Sequence, residues 1–496
     1  MDPRLLDVVR EAFPDDPATI TLGAPVQDGE VEPSPLVYLS LRMMTRHGLV
    51  AGTEATGRAR TVQLIAEQLS NQGVAVLVVD PRDELTGLGV MGEPLPEVRI
   101  RADETGLAWK RTACPIEVFT FSGKLGAHAR ATISSLGPTL LSRLLALTPT
   151  QTKALTAVMR YADANHLPLV DFGDLRPLLE RFATEAEVGL LEPYGAPTRV
   201  SVNAVLRKLA LFEELGLATC FGEPEIAVVD LLRAPGGRGL VTLFETSEWK
   251  EHPRIPAVLL LWMLARLYHE LPDVPDPERP RLVVFFEGAN HLFEAAPKAF
   301  AKQVLQLVRV IRSRGIGVFF VVDSPRDLPP ELLAQLGNRI QHAFAPADEE
   351  EEKTLRALAR SYPKSPFYDY EQILPRLEPG EAIVSVLSAT GAPTMPIVTR
   401  LVPPGSRMGP LSERELSLRV QESTQVRKYS QHIEHEAARE ALARKMLAGH
   451  LSAKTAPLRR EPRPSESGVF EKVQAPTVNR GLLGAMLGTG PEPRRR

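Results

Sequence analysis

Hydrophobic positions along most of the chain fall into short apolar runs that alternate with segments of helical periodicity. Val74–Val79 is a continuous, mostly β-branched run, and Arg281–Phe286 is similarly hydrophobic. Such runs are typical of parallel strands that are covered on both faces. Between Thr56 and Asn71 the apolar residues recur every three or four positions, which indicates one face of a helix. The alternation predicts an α/β fold with a doubly wound, mostly parallel sheet.

The same pattern predicts the remaining elements of this α/β core. Further strands are expected at Leu36–Leu41, Arg46–Ala51, Ile116–Phe121, Gly239–Glu245, Ile316–Val322, Arg339–Phe344 and Glu381–Leu387. Further helices are expected at Pro256–Glu270, Lys302–Ser313, Pro330–Leu336 and Glu349–Ser361. A last extended pair near residues 393–402 is expected to close the sheet.

The alternation of strand and helix stops for more than a hundred residues after Phe121. Four helices are predicted there, at Ser134–Leu147, Gln151–His166, Leu175–Ala183 and Ser201–Leu215. The chain is therefore divided into an N-terminal extension (1–36), a first part of the core (37–121), an all-helical insertion (122–235), a second part of the core (236–405), a charged helical segment (406–451) and a tail expected to be disordered (452–496).

Residues 52–59 have the shape of a phosphate-binding loop between a strand and a helix. Gly52 and Gly57 are five apart, as in the G-x-x-x-x-G-K-[ST] pattern in which backbone N–H groups and a helix N-terminus cradle a polyphosphate. The next two residues are Arg58 and Ala59, where that chemistry needs a lysine for the phosphates and a hydroxyl for Mg²⁺. The N-terminal extension is expected to add a strand, or a flap over the side of the core that carries this loop.

Composition and charge exclude several classes of protein. The chain has 496 residues, of which 44% are hydrophobic, with a formal net charge of −3 and a pI near 6.4, which argues against a globally basic nucleic-acid coat. An acidic N-terminus and the absence of an apolar run of about 18 residues predict a cytoplasmic protein without a membrane span. Cys114 and Cys220 lack metal-ligand spacing, so a disulfide framework or zinc site is not expected.

Several strings of residues resemble the bacterial HerA-like P-loop ATPases, in the branch that consists of the helicase-type C-terminal motor domain with a helical insertion. The resemblance covers about residues 40–415. Its strings are His47–Val50, Gly52–Gly57, Asp80 with Leu85–Gly87, Lys124–Gly126, Arg130–Ile133, Gly137-Pro138, Leu144-Leu145, Phe221–Pro224, Phe285-Phe286 with Ala289, Leu292 and Phe293, Arg312–Gly317, Gln335–Arg339 and Ser406–Pro410.

The resemblance implies a RecA-type core, ATP and Mg²⁺ at the loop, assembly as a ring and, for better-understood relatives, translocation along double-stranded DNA. The family loop reads G-A-T-G-T-G-K-T. The corresponding residues here, all candidates for nucleotide contact, are Gly52, Thr53, Glu54, Ala55, Thr56, Gly57, Arg58 and Ala59. Arg58 keeps a positive charge on a bulky planar fork, Ala59 has no oxygen for magnesium, and Glu54 adds a carboxylate that repels phosphate. All three changes oppose tight binding of Mg·ATP.

The second catalytic region also lacks groups that the family uses for ATP hydrolysis. Where the family has Phe-Phe-Asp-Glu-Ala-His, with one carboxylate for the metal and one for the attacking water, this chain has Phe285–Asn290, with Glu287 followed by Gly288. Glu287 is then the candidate metal ligand and catalytic carboxylate, but a single carboxylate cannot fill both roles. At the polar Ser-Gln-Asn sensor of the family this chain has Val322-Asp323-Ser324, which makes Asp323 a further catalytic candidate.

Three functions are compatible with these residues. The first is a pseudo-ATPase with weak or no nucleotide binding, retained for assembly or scaffolding. The second is an active ATPase in which Arg58 replaces the lysine and Glu287 does double duty, and the third is a DNA-binding ring module without motor action. Separate losses at the lysine, the hydroxyl and the base favour the first, because each costs orders of magnitude in rate.

Partners are predicted from the arginines that the resemblance places at a subunit interface. Arg312 and Arg314 at the end of a predicted helix, and Arg339 at the start of a strand, are the arginine-finger candidates. The strings around them keep the family pattern while the loop does not. Self-association, or association with a homologous ring subunit, through the face that carries these arginines is therefore predicted.

Overall fold

The computed structural model describes residues 1–275, 277–388, 390–431 and 433. The chain divides into two compact units. Residues 1–129 and 226–430 form the sheet unit, and residues 130–225, with the described residues 431 and 433, form the helical unit. The predicted tail (452–496), and most of the charged helical segment beyond residue 431, lie outside the described residues.

All the strands described belong to the sheet unit. They are β1 (Thr19–Gln27), β2 (Glu30–Val31), β3 (Val37–Ser40), β4 (Gly48–Ala51), β5 (Ala75–Asp80), β6 (Ile116–Thr120), β7 (Ala127–His128), β8 (Val241–Glu245), β9 (Leu282–Glu287), β10 (Ile316–Val322), β11 (Asn338–Gln341), β12 (Glu381–Ser385) and β13 (Ile397–Leu401).

The α-helices of the described chain are distributed over both units. They are α1 (Pro3–Ala12), α2 (Arg58–Asn71), α3 (Pro96–Glu104), α4 (Ile133–Leu144), α5 (Pro149–Ala164), α6 (Phe172–Phe182), α7 (Glu185–Val188), α8 (Arg199–Glu214), α9 (Arg254–Glu270), α10 (Lys298–Ile311), α11 (Pro330–Leu333), α12 (Glu349–Ser361), α13 (Tyr370–Ile373), α14 (Glu413–Glu422) and α15 (Thr424–Ser430). None of the described helices is long and apolar enough to cross a bilayer.

The strands form one mostly parallel sheet, as predicted. Its order is β2-β1-β13-β12-β11-β4-β10-β9-β5-β8-β6-β7, with β3 paired to β1. From β11 to β7 every pair is parallel, while the pairs from β11 through β12 and β13 to β1 are antiparallel. The carboxyl ends of β4, β10, β9, β5 and β8 therefore meet along one edge, which we call the loop edge.

Burial explains why the central strands read as continuous apolar runs. Every residue of β5 and of β10 is buried, because helices cover both faces of a parallel sheet. Phe285 and Phe319 on neighbouring strands place their rings 5.5 Å apart, and Phe286 stacks on Phe320 at 6.2 Å. This apolar centre fixes the strand ends from which the polar side chains of the loop edge extend.

The end of the sheet differs from the sequence prediction. The expected closing pair near 393–402 is wrong, because β13 is an interior strand bonded to β12 on one side and to β1 on the other. The N-terminal extension thus supplies sheet strands and no flap. Gly23 makes this close pairing possible, since a Cβ there would lie 1.9 Å from the carbonyl oxygen of Arg400. With Gly23 and Pro25 inside it, β1 does not show the usual strand pattern in sequence.

The helical unit packs α4, α5, α6 and α8 around its own aromatic core. The ring of Phe172 lies 4.8 Å from that of Phe221, and Tyr161 meets Phe182 edge-on at 4.9 Å. Thr132 and Thr148 cap the starts of α4 and α5 with reciprocal side-chain and backbone hydrogen bonds. The unit therefore has the caps and the buried core of a stable helical subdomain.

Candidate functional site

The loop of residues 52–57 connects β4 to α2 at the loop edge and is held by the ends of neighbouring strands. The backbone N–H of Gly52 donates to the Val322 carbonyl at 3.3 Å, and that of Thr53 donates to the Ala343 carbonyl at 3.1 Å. The carbonyl of Thr56 accepts from the Gly380 N–H at 3.3 Å. These bonds keep the shape of a phosphate-binding loop although its side chains have changed.

Ala55 adopts a backbone conformation that suits glycine. Its φ is +62°, in the left-handed region, and it stands where the family pattern has Gly. A left-handed residue with a Cβ costs about 1–2 kcal/mol. The loop has therefore kept the family conformation at an energetic cost.

We expect Ala55→Gly to stabilise the sheet unit by about 1 kcal/mol, because it relieves this strain. Urea unfolding followed by tryptophan fluorescence measures the change, since Trp109, Trp249 and Trp262 all belong to the sheet unit. Ala59→Gly, in the first turn of α2, is the control and should destabilise by about 0.5–1 kcal/mol. A loss of stability in both variants would contradict the strain at residue 55.

Arg58 stands where the family loop has its lysine, and it forms an ion pair with a carboxylate of its own chain. Its side chain is 6% exposed, and its Nη2 lies 2.5 Å from Oδ1 of Asp323, the residue that follows β10. Asp323 itself is 66% exposed, so the pair sits at the boundary of the site with its carboxylate on the solvent side. The cation that should meet a phosphate is thus already neutralised.

A second arginine, Arg82, spans the mouth of the site. Its Nη1 lies 3.5 Å from Oε1 of Glu54 on the loop, and its Nη2 lies 3.7 Å from Oε1 of Glu287 at the end of β9. Glu54 is 82% exposed, which lets it project across the opening. Arg82 was not predicted from the sequence; its position two residues after the buried strand end at Asp80 was the available signal.

The carboxyl group of Glu287 is not a simple metal ligand. Burial raises its pKa to about 7, because desolvation and the repulsion of Asp80 and Asp323 outweigh the attraction of Arg58 and Arg82. Near neutral pH this group therefore binds a proton much more readily than an ordinary glutamate does. Asp80, at the end of β5, is another carboxylate that could be considered as a metal ligand. Its oxygens accept hydrogen bonds from the backbone N–H of Glu84 at 3.1 Å and of Leu85 at 2.8 Å, so they already hold the turn that follows β5.

Gly288 follows Glu287 with φ +79°. At this position the family carries its second carboxylate, and glycine has no side chain to supply it. The positive φ is also one that residues other than glycine adopt only at a cost. An added Cβ would still have room, since its nearest contact is the His291 ring at 3.6 Å. No general base takes the place of that second carboxylate at residue 288.

His342 packs beside the loop as a neutral core residue. Its Nε2 lies 2.8 Å from the Thr61 hydroxyl, and its Nδ1 lies 2.9 Å from the Glu381 carbonyl. Burial lowers its pKa to about 4, so it carries no charge at neutral pH. It supports the loop and offers no acid or base.

The residues of the loop edge border an open cavity of about 580 Å³. One side is polar and includes Glu54, Arg58, Arg82, Glu287 and Asp323, and the other is formed by apolar residues near the start of α9. No group of three or more His, Cys, Asp or Glu side chains suited to a metal ion occurs among residues that the structure describes. With Ala59 lacking a hydroxyl and Arg58 already paired, these residues do not fit Mg·ATP.

The three arginine-finger candidates lie away from the loop of their own chain. Arg312 and Arg314 precede β10 and lie at the opposite edge of the sheet. Arg339 of β11 is level with Leu49 of β4 and with Phe320 of β10, two residues before β10 ends. Arg314 pairs with Asp273 at 2.8 Å, and Arg339 donates to the Leu333 carbonyl at 2.9 Å. Arg312 is exposed.

Comparison with protein families gives a match over almost the whole chain. The model for "Helicase HerA-like C-terminal" matches residues 26–485. A search of curated proteins gave no significant match. The assignment of this chain to a family therefore rests on the match to the family model.

Solved structures that are similar to this chain include coupling proteins and VirB4. The unbound form of the bacterial conjugative coupling protein TrwBdeltaN70 is 14% identical, with 79% of this chain and 91% of that chain covered and a TM-score of 0.51. VirB4 of Thermoanaerobacter pseudethanolicus is 15% identical (78% and 98% covered, TM-score 0.49). Plasmid coupling protein TrwB in complex with ADP and Mg²⁺ is 13% identical (80% and 100%, TM-score 0.48). At these identities the TrwBdeltaN70 likeness shows a shared RecA-like fold.

Proposed function

This chain belongs to the HerA-like C-terminal helicase family, and from that premise we propose that it is a P-loop protein without ATP hydrolysis that serves as an assembly or scaffold subunit. The family fold is kept across the sheet, while the groups that would bind and cleave ATP are replaced. Its proposed partners are further copies of the chain or a homologous ring subunit.

The ion pair between Arg58 and Asp323 carries this proposal. An incoming phosphate would have to displace a carboxylate 2.5 Å from the arginine and then remain close to that displaced negative charge. Glu54 adds a second carboxylate at the opening, with Arg82 as its partner. Carboxylates of the chain itself therefore occupy the place where a phosphate would bind.

The alternative of a working ATPase finds less support in this geometry. It would need Arg58 to leave Asp323, and Glu287 to act as metal ligand and general base together. A carboxylate that holds a metal is not free to take a proton from the attacking water, so one carboxylate cannot fill both roles. With glycine at 288, no second carboxylate follows it.

We expect Asp323→Asn to bring saturable binding of a fluorescent ATP analogue below about 1 mM, because it frees Arg58 and removes one repelling charge. Asp327→Asn is the matched control, since Asp327 also lines the cavity and its carboxylate is bonded to the Ser324 N–H at 2.9 Å. The Asp327→Asn variant should, like the unaltered chain, show no saturable binding in that range. Equal affinity in both variants and the unaltered chain would remove the support that this ion pair gives.

A further inference from the structure

A second cavity lies between helix α12 and strands β4 and β11 of the sheet unit. Its volume is about 190 Å³, and it shares no lining residue with the cavity at the loop edge. Much of its wall is apolar and comes from Leu49, Leu333, Leu358 and the ring of Tyr362. An apolar cavity of about 150 Å³ is enough to hold a benzene ring. This cavity therefore has room for a ligand of that size.

Arg339 brings a positive charge to this wall without a carboxylate to balance it. Its Nε donates to the Leu336 carbonyl at 3.3 Å and its Nη2 to the Leu333 carbonyl at 2.9 Å, which holds the guanidinium in place. Among the described residues, no acceptor meets its Nη1 and no acidic side chain pairs with it. The residue is half-buried, so water screens its charge less than that of an exposed arginine.

Tyr362 and Arg326 add further donors to the same cavity. The Tyr362 hydroxyl has no hydrogen-bond partner in the described part of the chain, and burial raises its pKa, so it keeps its proton at neutral pH. Arg326 is exposed and donates from Nη1 to the Thr354 hydroxyl at 2.5 Å. With Arg339, these side chains give the cavity two positive charges and one neutral donor.

Asp and Glu are absent from the described residues that line this cavity. In the cavity at the loop edge, by contrast, four carboxylates lie beside the arginines, and Asp323 and Asp327 are among those four. The glutamates at 349–352, which begin α12, come before Thr354, the first residue of that helix in the wall. An anionic ligand in the second cavity would therefore meet positive charge and no opposing carboxylate in its wall.

We propose that this cavity is a binding site for a small organic acid. The carboxylate accepts from Nη1 of Arg339 and from the Tyr362 hydroxyl, and an apolar body of about the size of a benzene ring packs against the leucines of the wall. A hydrogen bond from a charged donor to a carboxylate is roughly twice as strong as a neutral one, so the acid binds in preference to its neutral amide. Inorganic phosphate gains nothing from the apolar wall. The loop of residues 52–57 takes no part, so the inference does not depend on the proposed loss of ATP hydrolysis.

Isothermal titration calorimetry of the full-length protein with sodium benzoate tests the proposal, with benzamide and inorganic phosphate as comparison ligands. Benzamide keeps the ring and a planar head group but has no charge, and phosphate has charge without a ring. We expect benzoate to bind with a Kd of about 1 mM or below, which is an ordinary affinity for so small a ligand. Benzamide and phosphate should each bind at least tenfold more weakly than benzoate.

Two substitutions locate the benzoate, and circular dichroism verifies their folding. Arg339→Met removes the charge and keeps an apolar stem, and it should weaken benzoate binding at least tenfold. Tyr362→Phe removes only the hydroxyl and should weaken binding about two- to tenfold, as expected for one hydrogen bond. Arg356→Met is the matched control, because Arg356 lies on α12 and does not line the cavity; the affinity should stay within about twofold.

Three results would overturn the proposal. Absence of benzoate binding up to about 10 mM, ten times the expected Kd, would show that the cavity is not a site for such an acid. Binding of benzamide or phosphate as tight as that of benzoate would show that ring or charge alone is recognised. Benzoate binding that is unchanged in Arg339→Met and Tyr362→Phe would place the ligand elsewhere. If Arg339→Met does not fold, Tyr362→Phe and the comparison with benzamide decide the outcome.

Discussion

Turnover of ATP is expected to appear only when four side chains are replaced together, as Arg58→Lys, Ala59→Thr, Gly288→Glu and Asp323→Gln. The first two restore the phosphate-binding cation and the magnesium hydroxyl, and the third restores the base. The fourth is required because Asp323 would otherwise pair with any cation at residue 58, as it pairs with Arg58 now. Single replacements should give nothing measurable, because such groups act as a unit.

The matched control is the variant that carries the other three replacements and keeps Gly288. A positioned general base contributes about 10²–10⁴ in rate, so a steady-state phosphate-release assay should detect turnover by the fourfold variant and at most about 1% of that rate in the control. Gly288→Glu introduces strain at φ +79°, which places the expected gain at the lower end. Equal rates with and without Glu at 288 would show that the base is supplied elsewhere.

Arg400→Met is expected to have the largest effect on stability, a loss of about 3–5 kcal/mol in the sheet unit. Arg400 on β13 is buried, with its Nη2 2.7 Å and its Nε 3.0 Å from Oε1 of Glu381, which is buried as well. Removing the arginine leaves the Glu381 carboxylate without its principal buried cation. Glu381 follows Gly380, whose N–H bonds to Thr56, so the loop should loosen too.

Arg356→Met on α12 provides the control for this prediction. Arg356 also joins two carboxylates, Glu352 at 3.1 Å and Glu371 at 3.6 Å, but it is 53% exposed. Its loss should cost at most about 1 kcal/mol. Urea unfolding followed by tryptophan fluorescence compares the two variants, and equal unfolding midpoints would mean that the buried network around Arg400 adds no stability.

The sequence was sufficient for the central part of the fold. Strands such as Ala75–Asp80 and Leu282–Glu287 are buried on both faces, so their apolar runs are continuous and predict adjacent places in one sheet. The spacing of Gly52 and Gly57 likewise identified the loop. In contrast, the sequence left open whether the N-terminal extension adds a strand or a flap, because Gly23 and Pro25 interrupt the pattern of β1 and its partner β13 is distant in sequence.

The sequence supplied candidate site residues that the structure places around one cavity, but it did not indicate which of them form ion pairs. Glu54, Arg58, Glu287 and Asp323 were all identified from their positions in the family pattern. The sequence could not indicate that Asp323 contacts Arg58, because that pair is formed by the register of β10 beside β4. Arg82 was missed for a similar reason, since its contacts to Glu54 and Glu287 depend on how the chain turns after Asp80.

The most direct test of the central claim is a titration of the unaltered protein with a fluorescent ATP analogue, with and without Mg²⁺. We predict no saturable binding up to about 1 mM, the upper end of ordinary substrate affinities, and no effect of Mg²⁺. Saturable, Mg²⁺-dependent binding in the micromolar range, accompanied by hydrolysis that Glu287→Gln abolishes, would contradict the account.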